Sequence, residues 1–290
     1  MNESEVSALC EASAGKLEKM RGIIRAQPSA IVAFSGGVDS ALVLKVALEE
    51  LGSKAIALTA ISPSVAPRER AAAERFAAEL GAEHVVVASS EIDDPNYAKN
   101  PVDRCYFCKS ELYDLCRKVA DERGIDAILD GFNADEAGGH RPGRVAGDEH
   151  RVISPLLLAG LGKDEIRAWS HRLGLSTWDK PQLACLASRI PYGTEVTEER
   201  LGQVARAEEA MQDLGFRIFR VRYHREVARV ELGGEELPRL LADAALREAM
   251  DRSIKAAGFR FVALDLAPFR TGSLHEGMSR AIPVSLPVLP

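Results

Sequence analysis

Four short apolar runs alternate with three segments of helical pattern between residues 30 and 132, and this alternation limits the possible folds most strongly. Short apolar runs bounded by turn signals indicate buried strands, and the segments between them are long enough to be helices. Glycine follows each helical segment, as it does many helices. Strands that alternate with helices predict a doubly wound parallel sheet and an α/β fold. The predicted strands are 30–34, 55–59, 84–88 and 127–132, and the predicted helices are 39–51, 67–80 and 106–123.

The pattern changes in the second half of the chain. Residues 133–150 carry four glycines and one proline and are predicted to be a loop, and residues 176–196 look irregular. The mixture of helices and strands after residue 197 is typical of an α+β domain. We therefore predict a first domain over 1–185 and a smaller second domain over 186–290. The remaining predicted elements are helices over 1–28, 163–173, 197–214 and 235–257 and strands over 218–223, 227–232 and 261–266.

The residues Ser35-Gly36-Gly37-Val38-Asp39-Ser40 connect the first strand of the alternation to its first helix. Such a turn collects backbone N–H groups and the positive end of a helix at one place, which suits an anion. Ser35 and Ser40 add hydroxyl donors, and Asp39 is suited to hold magnesium or to cap the helix. The string is neither a Walker P-loop nor a dinucleotide fingerprint. A plain turn with capping side chains is the alternative, but this string after an apolar strand favours a phosphate loop.

A second polar string, Asp130-Gly131-Phe132-Asn133-Ala134-Asp135, follows the fourth predicted strand. Ligands of doubly wound folds bind at the carboxyl ends of the strands. Asn133 and Asp135 are therefore well placed to contact magnesium or a nucleotide. The spacing also fits an Asx turn that only closes the strand, so the residues alone leave both interpretations open.

Arginines alternate with apolar residues in the predicted hairpin of the second domain. Arg220 and Arg222 share one face of the first strand, and a simple register places Arg229 of the next strand on the same face. Clustered guanidinium groups suit a phosphate. From the residues alone, a solvated sheet face with cross-strand arginine–glutamate pairs is the better interpretation.

The composition disfavours several classes of function. The formal net charge of −6 makes the chain a poor non-specific binder of nucleic acid. No apolar run approaches the length of about 20 residues that a membrane span needs, and residues 1–14 lack the order of a secretory signal. We therefore expect a cytoplasmic protein without nucleic-acid or membrane partners. Five cysteines are an odd, sparse set for a disulfide framework, so catalysis, metal binding or burial are their natural roles.

The Ser35–Ser40 string resembles the PP-loop of the ATP pyrophosphatases, which split ATP between its α- and β-phosphates to adenylate a substrate. Further strings resemble one subfamily, LarE, the ATP-dependent sulfur transferases that build the nickel-pincer nucleotide cofactor. The resemblance covers residues 16–275, which is nearly the whole chain. The matching strings are Arg104-Cys105-Tyr106-Phe107-Cys108-Lys109, 135–143, Ser154-Pro155-Leu156, 184–193 and Phe269-Arg270-Thr271-Gly272-Ser273.

This resemblance implies a fold of the adenine nucleotide α hydrolase type and a homo-oligomer, a hexamer in LarE. It implies that ATP, with Mg²⁺, adenylates one carboxylate of pyridinium-3,5-biscarboxylic acid mononucleotide, and that sulfur then displaces AMP to leave a thiocarboxylate. The implied catalytic residues are Asp39, Cys185 and Arg189. The implied nucleotide and magnesium residues are Ser35, Gly36, Gly37, Asp39, Ser40, Asn133, Asp135 and Arg141. The residues implied for the substrate phosphate are Arg220, Arg222 and Arg270.

Three cysteines decide which type of LarE the sequence resembles. Without the resemblance, the Cys105-x-x-Cys108 pair fits a redox pair or half of a zinc site. In the single-cysteine LarE type, the cysteine that matches Cys185 gives up its sulfur and becomes dehydroalanine. This sequence is instead similar to the three-cysteine type, in which Cys105, Cys108 and Cys185 hold a four-iron four-sulfur cluster with one iron open to sulfide. Cys10 and Cys116 match nothing and are interpreted as structural.

Two other functions fit parts of the sequence. A tRNA thiolase of the same superfamily, some of which carry the same cysteine pattern, needs a basic RNA-binding surface or an added RNA domain. The net charge of −6 argues against that function. A non-catalytic nucleotide-binding module with a structural zinc is the second alternative, and it would release no pyrophosphate from ATP.

Overall fold

The computed structural model describes residues 1–138, 142–181 and 184–270, and the chain forms two compact units. Unit 1 contains residues 1–185 and 192–198, and unit 2 contains residues 186–191 and those from 199 onward. The elements before residue 130 are α1 (Glu3–Ala12), α2 (Ala14–Arg25), β1 (Ala30–Ala33), α3 (Val38–Leu51), β2 (Ala55–Ile61), α4 (Pro67–Glu79), β3 (Glu83–Ala88), α5 (Pro95–Ala98), α6 (Arg104–Arg123) and β4 (Ala127–Leu129). The later elements are α7 (Pro142–Glu149), α8 (Pro155–Ala159), α9 (Lys163–Arg172), α10 (Glu198–Asp213), β5 (Phe219–His224), β6 (Val227–Leu232), α11 (Glu236–Ala242), α12 (Ala244–Ala256) and β7 (Phe261–Leu264).

Unit 1 is built on a four-stranded parallel sheet with the strand order β3-β2-β1-β4. Successive residues of a strand point to opposite faces of the sheet. Ala30 and Val32 of β1 therefore pack with helices α2, α3 and α4, whereas Ile31 and Ala33 pack with helix α6 on the other face. Helices cover both faces, so the predicted doubly wound α/β sheet is confirmed.

The four strands of unit 1 end at one edge of the sheet, and polar residues follow them there. These residues are Ser35 after β1, Ser62 after β2, Glu91 after β3 and Asp130 after β4. Helix α6 also begins at this edge, since Lys109 in its second turn lies 6.0 Å from the ring centre of Phe132. The carboxyl edge is where ligands of such folds bind.

Unit 2 contains a smaller sheet with the order β5-β6-β7. Strands β5 and β6 form an antiparallel hairpin, and β7 joins β6 in parallel. The hairpin turn contains Arg225 in the left-handed region, with φ of 58°. Helix α12 packs against β7, which agrees with the predicted α+β character of this half.

Three element predictions are wrong in detail. Residues 133–150 contain helix α7 rather than only a loop, and α5 and α8 were not predicted at all. The helix predicted over 1–28 is two helices, because the chain breaks at Ser13, whose hydroxyl donates to the carbonyl of Leu9 at 2.6 Å. Strand β4 ends at Leu129 rather than 132, since the backbone beyond it turns around the Asp130 carboxylate, which accepts from the Phe132 amide. Within the described ranges, no helix combines the length and apolar character needed to cross a membrane.

Candidate active site

The phosphate loop of unit 1 has a backbone that only glycine accommodates at its second position. Gly36 has φ of +71°, and a Cβ atom there would lie 2.9 Å from the Cβ of Ala73 in helix α4. Gly37 is the N-cap of α3 and offers no side chain to the first amide groups of the helix. Ser40 Oγ lies 3.2 Å from Ser35 Oγ and donates to the carbonyl of Gly37 at 3.3 Å. The loop thus presents helix amides and two hydroxyl groups at one point, as an anion requires.

Asp39 stands in the first turn of α3 and is held by two donors. Its carboxylate accepts from Lys163 Nζ at 2.5 Å and from Asn133 Nδ2 at 3.3 Å. Asp135 joins the same group, because its amide donates to Asn133 Oδ1 at 3.0 Å and its carboxylate accepts from the Lys163 amide at 2.7 Å. The structure therefore brings together the three side chains that the sequence predicted for magnesium and nucleotide.

This group suits Mg²⁺, which takes one or two protein carboxylates and completes its shell with phosphates and water. Asp39 would supply the carboxylate, and the ion would replace Lys163 at one of its oxygens. Gly131 keeps the exit of β4 close to α3, since a Cβ atom there would lie 2.9 Å from the amide of Ser40. Asp130 is occupied elsewhere, because its carboxylate accepts from the buried hydroxyl of Tyr113 at 2.8 Å.

Two lysines at the phosphate loop belong to no sequence motif, so neither was predicted from the sequence. Lys163 is the first residue of α9 and pairs with Asp39. Lys180 lies beyond α9, donates to the carbonyl of Gly36 at 2.9 Å and pairs with Glu69 at 2.7 Å. Their ammonium groups provide the positive charge that the motif itself lacks.

The three cysteines predicted to bind metal belong to unit 1 and influence one another electrostatically. Cys105 and Cys108 stand at the start of α6, and the charge of Cys185 raises the pKa of both thiols. Desolvation by burial is the larger cause of the raised pKa at both Cys105 and Cys108. The side chains of Cys105 and Cys185 nevertheless reach solvent. The charge of Arg104 opposes these effects at Cys105.

A buried carboxylate supports this cysteine group from the carboxyl edge of the sheet. Glu91 is 4% exposed and accepts from Ser62 Oγ at 2.6 Å and from the hydroxyl of Ser64, and its charge, after burial, raises the pKa of the Cys108 thiol. Since Ser62 and Ser64 follow β2 and Glu91 follows β3, the cysteine group lies at the same sheet edge as the phosphate loop.

The donor chemistry of Cys105, Cys108 and Cys185 fits a cluster held by three thiolates. All three are thiols rather than disulfides, and metal binding would require their thiolate forms, which burial disfavours at Cys105 and Cys108 until a cation offsets the charge. Among the residues that the structure describes, no three His, Cys, Asp or Glu side chains are already arranged at metal-binding distances. Cys10 and Cys116 are fully buried in apolar clusters, as expected of structural cysteines.

Unit 2 contains a buried network of arginines and glutamates on the face of its hairpin. Arg189 is 2% exposed and binds Glu208 through two parallel contacts of 2.8 Å, the fork geometry that a carboxylate favours. Arg222 Nη2 contacts Glu231 Oε2 at 2.7 Å. Arg220 lies on the same face, as predicted from the alternation, and stacks 4.5 Å from the ring centre of Phe269.

This face differs from a solvated sheet surface, because Arg189, Arg220 and Arg222 are buried. Burial and then the charge of Arg189 lower the pKa of Arg220 to about 10. A buried guanidinium whose charge is disfavoured gains from a bound anion. Arg270, also predicted for the phosphate, is exposed at the end of the described chain, and Arg141 lies outside the described residues.

Comparison with known proteins agrees with this site. The asparagine synthase family matches residues 20–255. An uncharacterised protein of Synechocystis sp. is 42% identical over 91% of this chain and 98% of the relative. The pyridinium-3,5-bisthiocarboxylic acid mononucleotide synthase of Lactiplantibacillus plantarum is 36% identical over 86% of this chain and 90% of that enzyme. The chain therefore belongs to the asparagine synthase family of PP-loop ATP pyrophosphatases and, within it, to the LarE family of ATP-dependent sulfurtransferases.

Proposed function

We propose that this enzyme adenylates a carboxylate of pyridinium-3,5-biscarboxylic acid mononucleotide and then replaces AMP with sulfur. The observation that carries this proposal is the position of the cysteine group, which shares the carboxyl edge of one sheet with the phosphate loop. The L. plantarum relative supports the product, because that enzyme is a synthase of a bisthiocarboxylic acid mononucleotide.

The first half-reaction uses the phosphate loop. A carboxylate oxygen of the substrate attacks the α-phosphorus of ATP, and pyrophosphate leaves with the electron pair of the broken P–O bond. Helix α3 and the ammonium groups of Lys163 and Lys180 stabilise the negative charge that develops on the phosphates. Asp39 would hold Mg²⁺, which would offset the charge of the pyrophosphate.

The second half-reaction uses the cysteine group. A sulfur nucleophile attacks the acyl carbon, the C–O bond to AMP breaks, and AMP leaves with the original carboxylate oxygen. Cys105, Cys108 and Cys185 would hold a three-thiolate iron–sulfur cluster, which would supply the sulfur as hydrosulfide when bound. The sulfur atoms of the three cysteines would then stay in the protein. We assign the phosphate of the mononucleotide to Arg220 and Arg222 of unit 2, which lie on one buried face.

Pyrophosphate release tests the first half-reaction. The enzyme with ATP, Mg²⁺ and the biscarboxylic acid mononucleotide is expected to release pyrophosphate, and to release AMP in equal amount once a sulfide source is added. Without the mononucleotide it is expected to release neither. Asp39→Ala is expected to lose this activity at limiting Mg²⁺. Release that is stimulated by tRNA rather than by the mononucleotide, or by neither, would refute the proposal.

Mass spectrometry of the protein after turnover tests the source of the sulfur. If the cluster supplies it, Cys185 keeps its mass through several turnovers, and the Ala variants of Cys105, Cys108 and Cys185 are all colourless and inactive. Conversion of Cys185 to dehydroalanine, with Cys105→Ala and Cys108→Ala still active for one turnover, would show that Cys185 is the sacrificial donor instead.

A further inference from the structure

One polar group beside the cysteine group has no hydrogen-bond partner within the described part of the chain. It is the hydroxyl of Tyr97, in the short helix α5, and the side chain is only 1% exposed. A buried hydroxyl without a partner lowers stability, so such groups are rare and call for an explanation. A ligand that accepts a hydrogen bond from Tyr97 would explain why this hydroxyl is buried without a partner.

The surroundings of Tyr97 indicate what kind of ligand this is. The guanidinium carbon of Arg104 lies 6.0 Å from the ring centres of both Tyr97 and Tyr192, and Arg104 is itself 3% exposed. Arg104 directly precedes Cys105 at the start of α6. Tyr97 and Arg104 therefore place one hydroxyl and one permanent positive charge near the cysteines, which suits an anion.

A tyrosine hydroxyl carries its proton near neutral pH. The hydroxyl of Tyr97 is therefore a hydrogen-bond donor to an anion that binds beside it.

We propose that Tyr97 donates a hydrogen bond to a sulfur anion held among Cys105, Cys108 and Cys185, and that Arg104 balances the charge of that anion. The inference rests on the proposed function, in which these cysteines hold the cluster that carries the sulfur. Three thiolates and an added hydrosulfide concentrate negative charge, so a nearby cation and a fixed donor both favour its binding. Tyr97 and Arg104 then act as positioning residues for the sulfur.

Hydrosulfide binding to Tyr97→Phe tests the inference. This variant removes the unpartnered hydroxyl and keeps the ring, and Tyr106→Phe is its control, because the Tyr106 hydroxyl donates to Glu149 at 2.6 Å. Each protein is reconstituted anaerobically with iron and sulfide and titrated with sodium hydrosulfide, with the cluster followed by electron paramagnetic resonance. We expect equal iron in all three proteins, wild-type affinity in Tyr106→Phe, and about ten-fold weaker hydrosulfide binding in Tyr97→Phe, the loss expected for one hydrogen bond to an anion.

Equal hydrosulfide affinity in Tyr97→Phe and the wild type would overturn the inference. The melting temperature of metal-free Tyr97→Phe checks the premise that this hydroxyl has no partner. Loss of an unsatisfied hydroxyl should not lower the melting temperature. A marked fall would mean that the hydroxyl has a structural partner. A wild-type protein that takes up no iron would overturn both the cluster and this inference. Failure of the adenylation chemistry appears separately, as absent pyrophosphate release.

Discussion

At the scale of single residues, the charge of the phosphate loop comes from side chains outside the motif. Lys180 contacts the carbonyl of Gly36 and the carboxylate of Glu69, and Lys163 contacts Asp39. The motif itself contains no cation, so the negative charge of a triphosphate depends on these two ammonium groups. They are the residues whose loss should affect ATP most directly.

Lys180→Ala is expected to weaken ATP binding about ten-fold or more, the value of one charge-assisted contact. The apparent ATP affinity in a pyrophosphate release assay measures this. Lys45→Ala is the control, because Lys45 lies on α3 itself but pairs with Glu49 of the same helix, at 3.1 Å. Unchanged ATP affinity in Lys180→Ala would remove this lysine from the phosphate site.

The sequence could predict Ser35 to Ser40, Asn133 and Asp135 because each directly follows a strand whose end is fixed by the parallel sheet. It could not predict Lys163, Lys180 or Glu91, since their positions depend on how helices and loops fold back over the sheet edge. Lysine and glutamate are common surface residues, and no spacing distinguishes these three.

At the scale of elements, the helices that sequence analysis missed all begin with proline. Pro95, Pro142 and Pro155 are the first residues of α5, α7 and α8. Proline fits the first turn of a helix, where its missing N–H has no partner to lose. In short segments the same residue is also typical of a loop, and a helix of four to eight residues is too short for an apolar period to outweigh it.

The buried hairpin face of unit 2 makes a prediction about stability. Arg222 and Glu231 are both buried, so Arg222→Ala removes the buried partner of this carboxylate and leaves it with the half-exposed Arg229, and the variant is expected to cost about 1.5–3 kcal/mol of unfolding free energy. Arg229 contacts the other oxygen of Glu231 from a half-exposed position, so Arg229→Ala should cost about 1 kcal/mol or less. Urea unfolding measures both. Equal losses in the two variants would mean that the Arg222 pair behaves as a surface contact.

The carboxylate of Glu50 in α3 accepts hydrogen bonds from α2, and its contribution to the free energy of unfolding depends on pH. Hydrogen bonds from Arg25 and then Arg21 lower the pKa of Glu50 below its ordinary value of 4.5. A lowered pKa in the folded state means that Glu50 adds stability above pH 4.5, and that this is lost as pH falls through the lowered value.

Glu50→Gln is therefore expected to reduce the unfolding free energy by about 1 kcal/mol at pH 7, and by progressively less below pH 4.5. Urea unfolding across this range, with the wild type beside the variant, measures the difference. A difference that stays constant down to pH 2 would assign the effect to packing rather than to charge.

At the scale of the whole molecule, the two units divide the expected chemistry between them. Unit 1 holds the phosphate loop and the cysteine group, and unit 2 holds the arginine face. The sequence predicted the fold of each, because the parallel sheet and the hairpin both follow from apolar periodicity. The proposed activity is supported by the similarity to the L. plantarum enzyme and by the residues that gather at one edge of the sheet of unit 1.

The path of one oxygen atom tests the central claim most directly. The biscarboxylic acid mononucleotide, with its carboxylates labelled with the heavy oxygen isotope, is incubated with the enzyme, ATP, Mg²⁺ and a sulfide source, and AMP is analysed by mass spectrometry. Adenylation followed by displacement by sulfur predicts one labelled oxygen in AMP for every thiocarboxylate formed. Unlabelled AMP, or ADP in its place, alongside the thiocarboxylate would contradict the account.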